Sequence, residues 1–101
     1  MTIPELHQGT ATGRIAEICL RYRIRELAIF GSMARAEARS DSDVDLYVEF
    51  EPGFHPGLKW FDLEEDLEKT LGRPVDLSRK ALLKPRVRRE AERDAVVLYA
   101  A

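Results

Sequence analysis

Two segments of the chain repeat apolar residues with the period of an α-helix. The first spans about Thr12 to Arg23, and the second spans Leu58 to Leu71, with Gly72 as its expected C-terminal stop. Their apolar stripes consist of Ile15, Ile18, Cys19 and Tyr22 in the first helix and of Trp60, Leu63, Leu67 and Leu71 in the second. Pro85 fits the first turn of a further helix that we expect to end near Arg93.

Four other segments have the composition or the alternation of β-strands. The clearest runs from Asp43 to Phe50, because apolar residues occupy every second position and three acids and a tyrosine lie between them. Glu26 to Phe30 is a short apolar run that ends at Gly31-Ser32, which predicts a buried strand entering a tight turn. Val75 to Leu77 and Val96 to Tyr99 predict two short strands, the last one at a sheet edge.

These elements predict an α/β (α+β) fold with helices packed on a small mixed sheet. Residues 33–42 are small and polar, and we expect one or two helical turns there. No repeat or linker divides the 101 residues, so we expect one domain over residues 1–101.

Composition narrows the classes of protein. The net charge of −2 argues against a protein that coats nucleic acid indiscriminately, although it leaves room for a local basic patch. We expect no direct binding of nucleic acid. No apolar run approaches the ~20 residues needed to cross a bilayer, and no secretory signal opens the chain. We expect the single thiol, Cys19, to lie in the core, and a lone thiol suits a reducing compartment. We therefore expect a cytoplasmic protein that does not associate with a membrane.

The candidate chemistry is concentrated around one turn and the strand that follows it. Gly31 allows close backbone approach to a ligand, and the N–H groups after it, with the Ser32 hydroxyl, could bind phosphate. Asp43 and Asp45 share one face of a strand, where like charges are destabilising unless a cation neutralises them. The alternative is that these two acids lie on a solvent-facing strand and bind no cation.

A third acid, Asp76, lies within the short strand Val75 to Leu77. If that strand neighbours the strand of Asp43 and Asp45, its carboxylate points to the same face. Three carboxylates beside a phosphate-binding turn are typical of two-metal phosphoryl or nucleotidyl transfer.

The pattern Gly31-Ser32, ten residues, Asp43-Val44-Asp45, followed by Asp76, resembles the polymerase-β-like nucleotidyltransferase superfamily. It is most similar to the minimal nucleotidyltransferases (MNT), whose members are about this short. The segment Leu83-Lys84-Pro85-Arg86-Val87 and the final Val97-Leu98-Tyr99 add to the resemblance. One departure is Ala36, where many members have glycine.

The resemblance implies a role for each matching residue. Asp43, Asp45 and Asp76 would be catalytic and would hold two Mg²⁺ ions, with Asp76 also helping to activate the acceptor hydroxyl. Gly31 and Ser32 would bind the phosphates of ATP, the substrate, and Arg35 is a further candidate beside them.

The resemblance also implies a partner. MNT proteins typically act as antitoxins beside a HEPN-domain RNase toxin, and some transfer AMP from ATP to a toxin tyrosine. The chain's length leaves no segment for an acceptor domain, so we expect another molecule to supply the acceptor. Two alternatives stay open: an antitoxin that neutralises by binding alone, and a nucleotidyltransferase for a small molecule such as an aminoglycoside.

Charge is distributed unevenly along the chain. Residues 79–93 carry seven positive and two negative side chains, whereas Leu58 to Leu71 carries five acids and two lysines. The basic segment is either a solvated helix face or a contact surface for an acidic partner or ATP.

Overall fold

Three helices and four strands follow one another along the part of the chain that the structure, a computed structural model, describes: residues 9–32, 34–35 and 43–101. Their order is α1 (Gly9–Arg21), β1 (Ile24–Phe30), β2 (Val44–Phe50), α2 (Lys59–Leu71), β3 (Val75–Arg79), α3 (Pro85–Asp94) and β4 (Val96–Ala100). A single 3₁₀ turn, Lys80–Leu82, joins β3 to α3. Ala34 and Arg35 lie in a turn, and the rest of the helical segment predicted for residues 33–42 lies outside the described residues.

The four strands form one mixed sheet in the order β3-β2-β1-β4. β1 pairs antiparallel with both β2 and β4, whereas β2 and β3 are parallel. A parallel pair needs a crossover connection, and α2 supplies it between β2 and β3. The predicted mixed sheet, with the last strand at an edge, is confirmed.

The main core lies between one face of the sheet and the helices α1 and α2. The predicted stripes of both helices pack there against Val44, Leu46 and Val48 of β2. Cys19 is fully buried in this core, as predicted. The opposite face of the sheet is covered in part by α3, where Ala91 packs against Ala28 and Tyr47.

Element ends differ from the prediction mainly between α1 and β1. The helix ends at Arg21, since Arg23 takes a positive φ of 55° that a helix cannot continue. β1 therefore begins at Ile24, two residues before the expected Glu26. The predicted end of α2 is confirmed: Gly72 has φ 71°, and its N–H donates to the carbonyl of Glu68 at 2.8 Å.

No helix in the described part of the chain has both the length and the apolar character needed to span a membrane.

Candidate active site

The three predicted carboxylates lie at one end of the sheet, on the face that carries α3. Asp45 of β2 is in register with Asp76 of β3, so the two side chains project from neighbouring strands toward the same face. Asp43 lies two residues before Asp45, just outside β2, and its charge acts on Asp45. Asp45 is half-buried, whereas Asp43 and Asp76 are exposed.

The negative charges of these carboxylates act on one another. Burial raises the pKa of the Asp45 carboxyl above its ordinary value, and the charges of Asp76 and Asp43 raise it further. The Arg35 guanidinium opposes these effects and lowers the pKa of Asp45. A positive charge near Asp45 would therefore favour its ionised form.

Gly31 forms the bend beside Asp45, directly after β1. Its φ of +73° is a left-handed conformation, which glycine adopts without strain. A Cβ atom at this position would overlap a carboxylate oxygen of Asp45. The lack of a side chain at Gly31 therefore allows the carboxylate to lie against the backbone of the turn.

Ser32 and Arg35 belong to the same turn. Ser32 is half-buried, and the N–H of Arg35 donates to the carbonyl of Gly31 at 3.2 Å. The Arg35 side chain is held toward α3, because its Nη1 lies 3.3 Å from Oδ2 of Asp94. Since the two residues are 59 positions apart, no local sequence pattern indicates this ion pair.

The carboxylate oxygens at this site are of the chemical type that magnesium binds. Mg²⁺ prefers hard oxygen ligands and usually takes only a few carboxylates, with water and substrate phosphates completing its octahedron. Among the described residues, no three His, Cys, Asp or Glu side chains already stand close enough to hold one metal ion together. Asp45 with one neighbouring acid, plus nucleotide phosphates, is a ligand set that these residues could provide.

A small cavity adjoins the Gly31 turn. It measures about 130 Å³ and lies between the turn and α3, with Phe30, Val87 and Ala91 among its lining residues. The sequence did not indicate this cavity, because it depends on how α3 packs on the sheet.

A polar cluster farther along the same face was also not foreseen. Lys80 lies 3.3 Å from Glu26, 3.8 Å from Glu92 and 5.1 Å from the ring centre of Tyr47. Burial, together with the charge and hydrogen bond of Glu26, raises the pKa of Tyr47 to about 12. Tyr47 is 3% exposed and packs against Ala28 and Ala91 on this face.

Comparison with known proteins decides the family. Residues 14–101 match the family described as "Polymerase beta, Nucleotidyltransferase". The chain belongs to this nucleotidyltransferase family. It is also 40% identical over 98 residues to "Protein adenylyltransferase MntA" of Thermococcus cleftensis, with 95% of each chain covered. The predictions of a nucleotidyltransferase and of its family are therefore confirmed.

Solved structures confirm the predicted polymerase-β-like fold. One described as a minimal nucleotidyltransferase is 36% identical, has a TM-score of 0.77 and covers 95% of both chains. A toxin–antitoxin complex with AMP-PNP has a TM-score of 0.71 at 17% identity and covers 89% of this chain and 73% of that chain. A tri-AMPylated Shewanella oneidensis HEPN toxin in complex with its MNT antitoxin has a TM-score of 0.63 at 16% identity, with 89% and 70% covered.

Proposed function

We propose that this nucleotidyltransferase is a magnesium-dependent antitoxin that transfers AMP from ATP to a hydroxyl group, that of a tyrosine, on a cognate HEPN-domain toxin. The observation that carries the proposal is the alignment of Asp45 with Asp76 beside the Gly31 turn. The name of the Thermococcus relative supports AMP transfer to a protein. The AMP-PNP complex and the AMPylated HEPN toxin support the nucleotide and the partner.

Each site residue has a part in the proposed reaction. Asp43 and Asp45 would hold two Mg²⁺ ions, and Asp76 would join them at one ion. Bound magnesium supplies positive charge that neutralises the triphosphate and the departing pyrophosphate. Gly31 and Ser32 would bind the phosphates through the turn, and Arg35 would add a positive charge beside them.

The transfer step itself is a displacement at phosphorus. The acceptor oxygen forms a bond to the α-phosphorus while the bond from that phosphorus to the bridging oxygen breaks, so pyrophosphate leaves. A carboxylate oxygen of Asp76 accepts the proton of the acceptor hydroxyl. Asp76 suits this part because it is exposed and lies on an edge strand, where a second protein can approach.

The test is transfer of label from α-labelled ATP to the HEPN partner. We expect the wild-type chain to label the partner and Asp45→Asn to reduce the rate at least about 100-fold, since several kcal/mol of charge stabilisation is lost. Asp62→Asn is the matched control, because Asp62 is an exposed acid on α2, and it should label normally. Equal labelling by the wild-type chain and Asp45→Asn would show that the site is assigned wrongly.

Neutralisation by binding alone is a second candidate. It is favoured by the absence, among the described residues, of three potential ligands close enough to share a metal ion. This candidate predicts that the double variant Asp43→Asn/Asp45→Asn still neutralises the toxin at normal stoichiometry. Under the leading proposal, the double variant fails to neutralise the toxin.

A further inference from the structure

A groove of about 370 Å³ lies along the outer side of β3. It is lined by Trp60, Leu77, Ser78, Arg79, Leu82 and Leu83. We refer to it as the β3-edge groove. Its residues from β3 lie at the end of the strand away from Asp45, and none of them belongs to the site described above.

β3 is an edge strand, so part of its backbone faces this groove rather than β2. The Pro74 carbonyl accepts from Val44 of β2 at 2.9 Å, whereas the Val75 N–H donates outward to the Glu68 side chain at 3.3 Å. Successive residues of a strand direct their backbone N–H and C=O groups to opposite sides. The backbone groups of Leu77 and Arg79 therefore face outward, as those of Val75 do. In the described part of the chain no strand flanks β3 on this side. An extended segment could therefore pair with it.

The side chains around the groove favour an apolar anchor with acidic neighbours. Leu82 is 76% exposed and lines the groove with Trp60, so its apolar side chain is accessible to a partner there. Residues 79–89 include six basic side chains and no acid. Three of them, Lys80, Arg86 and Arg88, pair with glutamates of this chain. Arg79, in the groove, stacks over Phe50, and Lys84 adjoins the groove without an ion pair to any described residue.

We propose that the β3-edge groove docks the acceptor protein through an extended acidic segment with a large apolar anchor between Trp60 and Leu82. This inference rests on the proposed function, because it supplies the acceptor for that reaction. Arg79 is three residues beyond Asp76 on β3, or roughly 10 Å at ~3.3 Å per residue. A segment paired with β3 would therefore carry a neighbouring hydroxyl to the carboxylates.

Trp60 reports directly on docking, because it is the chain's single tryptophan and it lines the groove. A chain labelled with 5-fluorotryptophan gives one ¹⁹F resonance. We expect this resonance to shift when the HEPN partner is added without nucleotide. An unchanged resonance under conditions where light scattering shows the complex would overturn the docking site. A shift that depends only on the concentration of this chain would assign the groove to a second copy, and would also overturn it.

A pair of matched variants tests the same groove by affinity. Leu82→Glu places a negative charge among the basic residues, and we expect it to weaken partner binding at least tenfold. Leu20→Glu is the control, because Leu20 is 69% exposed on α1, away from the groove, and it should bind normally. Both side chains are exposed, so neither change should unfold the chain. Equal affinities for the two variants contradict the proposal.

The two proposals fail in distinguishable ways. If the partner shifts the Trp60 resonance but no AMP is transferred, the docking site holds and the proposed reaction is wrong. If AMP is transferred and Leu82→Glu transfers it as fast as Leu20→Glu at subsaturating partner, the reaction holds and the docking site is wrong.

Discussion

At the scale of single residues, Asp45 is placed where its charge opposes folding. Burial and the neighbouring Asp76 and Asp43 raise the pKa of Asp45 above its ordinary value of 3.8. The folded chain therefore binds this proton more tightly than the unfolded chain does. Stability falls as pH rises from about 4 through the raised pKa, and the penalty is fully present above it.

This sign gives a prediction for Asp45→Asn. The variant should be more stable than the wild type at pH 7, by roughly 0.2–1 kcal/mol, which is the size of like-charge effects between neighbouring strands. The difference should shrink toward pH 4, where the wild-type carboxyl also becomes neutral. Urea denaturation of the wild type and of Asp45→Asn at pH 7 and pH 4 measures this difference in stability. A variant that is less stable than the wild type at pH 7 would contradict the repulsion described for this site.

The same residue links stability to the proposed function. Under that proposal, a cation and a nucleotide would offset the repulsion at Asp45, because a ligand that binds only the folded state adds to its stability. Gly31 takes part in the same arrangement, because its bare backbone leaves the space that the Asp45 carboxylate occupies.

At the scale of elements, α2 contributes stability without touching the site. Leu67 is fully buried against the sheet face opposite the carboxylates. We expect Leu67→Ala to lower the free energy of unfolding by roughly 2–5 kcal/mol, because it leaves a cavity in the main core. Leu20→Ala, at an exposed position of α1, should change it by less than about 0.5 kcal/mol.

Urea denaturation of the Leu67→Ala and Leu20→Ala variants provides the measurement. AMP transfer per folded molecule should be unchanged in both, since the carboxylates lie on the other face. A small change in the free energy of unfolding for Leu67→Ala would contradict its burial in the main core. A loss of AMP transfer that exceeds the loss of folded protein would contradict the claim that α2 supports stability but not the carboxylate site.

Elements with a complete apolar period could be predicted from sequence. The stripe of α2 and its end at Gly72, and the alternation of β2, appear in the structure as predicted. The start of β1 could not be predicted. Ile24 is buried, but Arg23 and Arg25 on either side of it make this part of the sequence read as exposed and polar. Tyr47 was grouped with the acids of its face, yet α3 buries it, and that packing depends on distant residues.

The candidate site was predictable to a similar degree. The residue types and the spacing of Gly31, Asp43 and Asp45 are local features of the sequence. The placement of Asp76 depends on the parallel register of β3 with β2, which the sequence favours only through a resemblance. The Arg35–Asp94 ion pair joins residues far apart in the chain, so it could be identified only from the folded structure.

At the scale of the whole molecule, one edge strand connects two different surfaces. Asp76, near the start of β3, contributes to the carboxylate cluster, and Arg79, at its end, contributes to the β3-edge groove. The proposed nucleotide site and the proposed acceptor surface are thus connected by a single strand. Substitutions can test the two proposals separately, because the two surfaces use different residues.

The central claim is that the carboxylates beside Gly31 bind a magnesium nucleotide. Titration calorimetry with a non-hydrolysable ATP analogue tests it most directly. We expect the wild-type chain and Asp62→Asn to bind the analogue with Mg²⁺ and to lose binding when EDTA replaces the metal, and Asp45→Asn to show no binding in either condition. Equal binding by the wild type with and without Mg²⁺, or undiminished binding by Asp45→Asn, would contradict it.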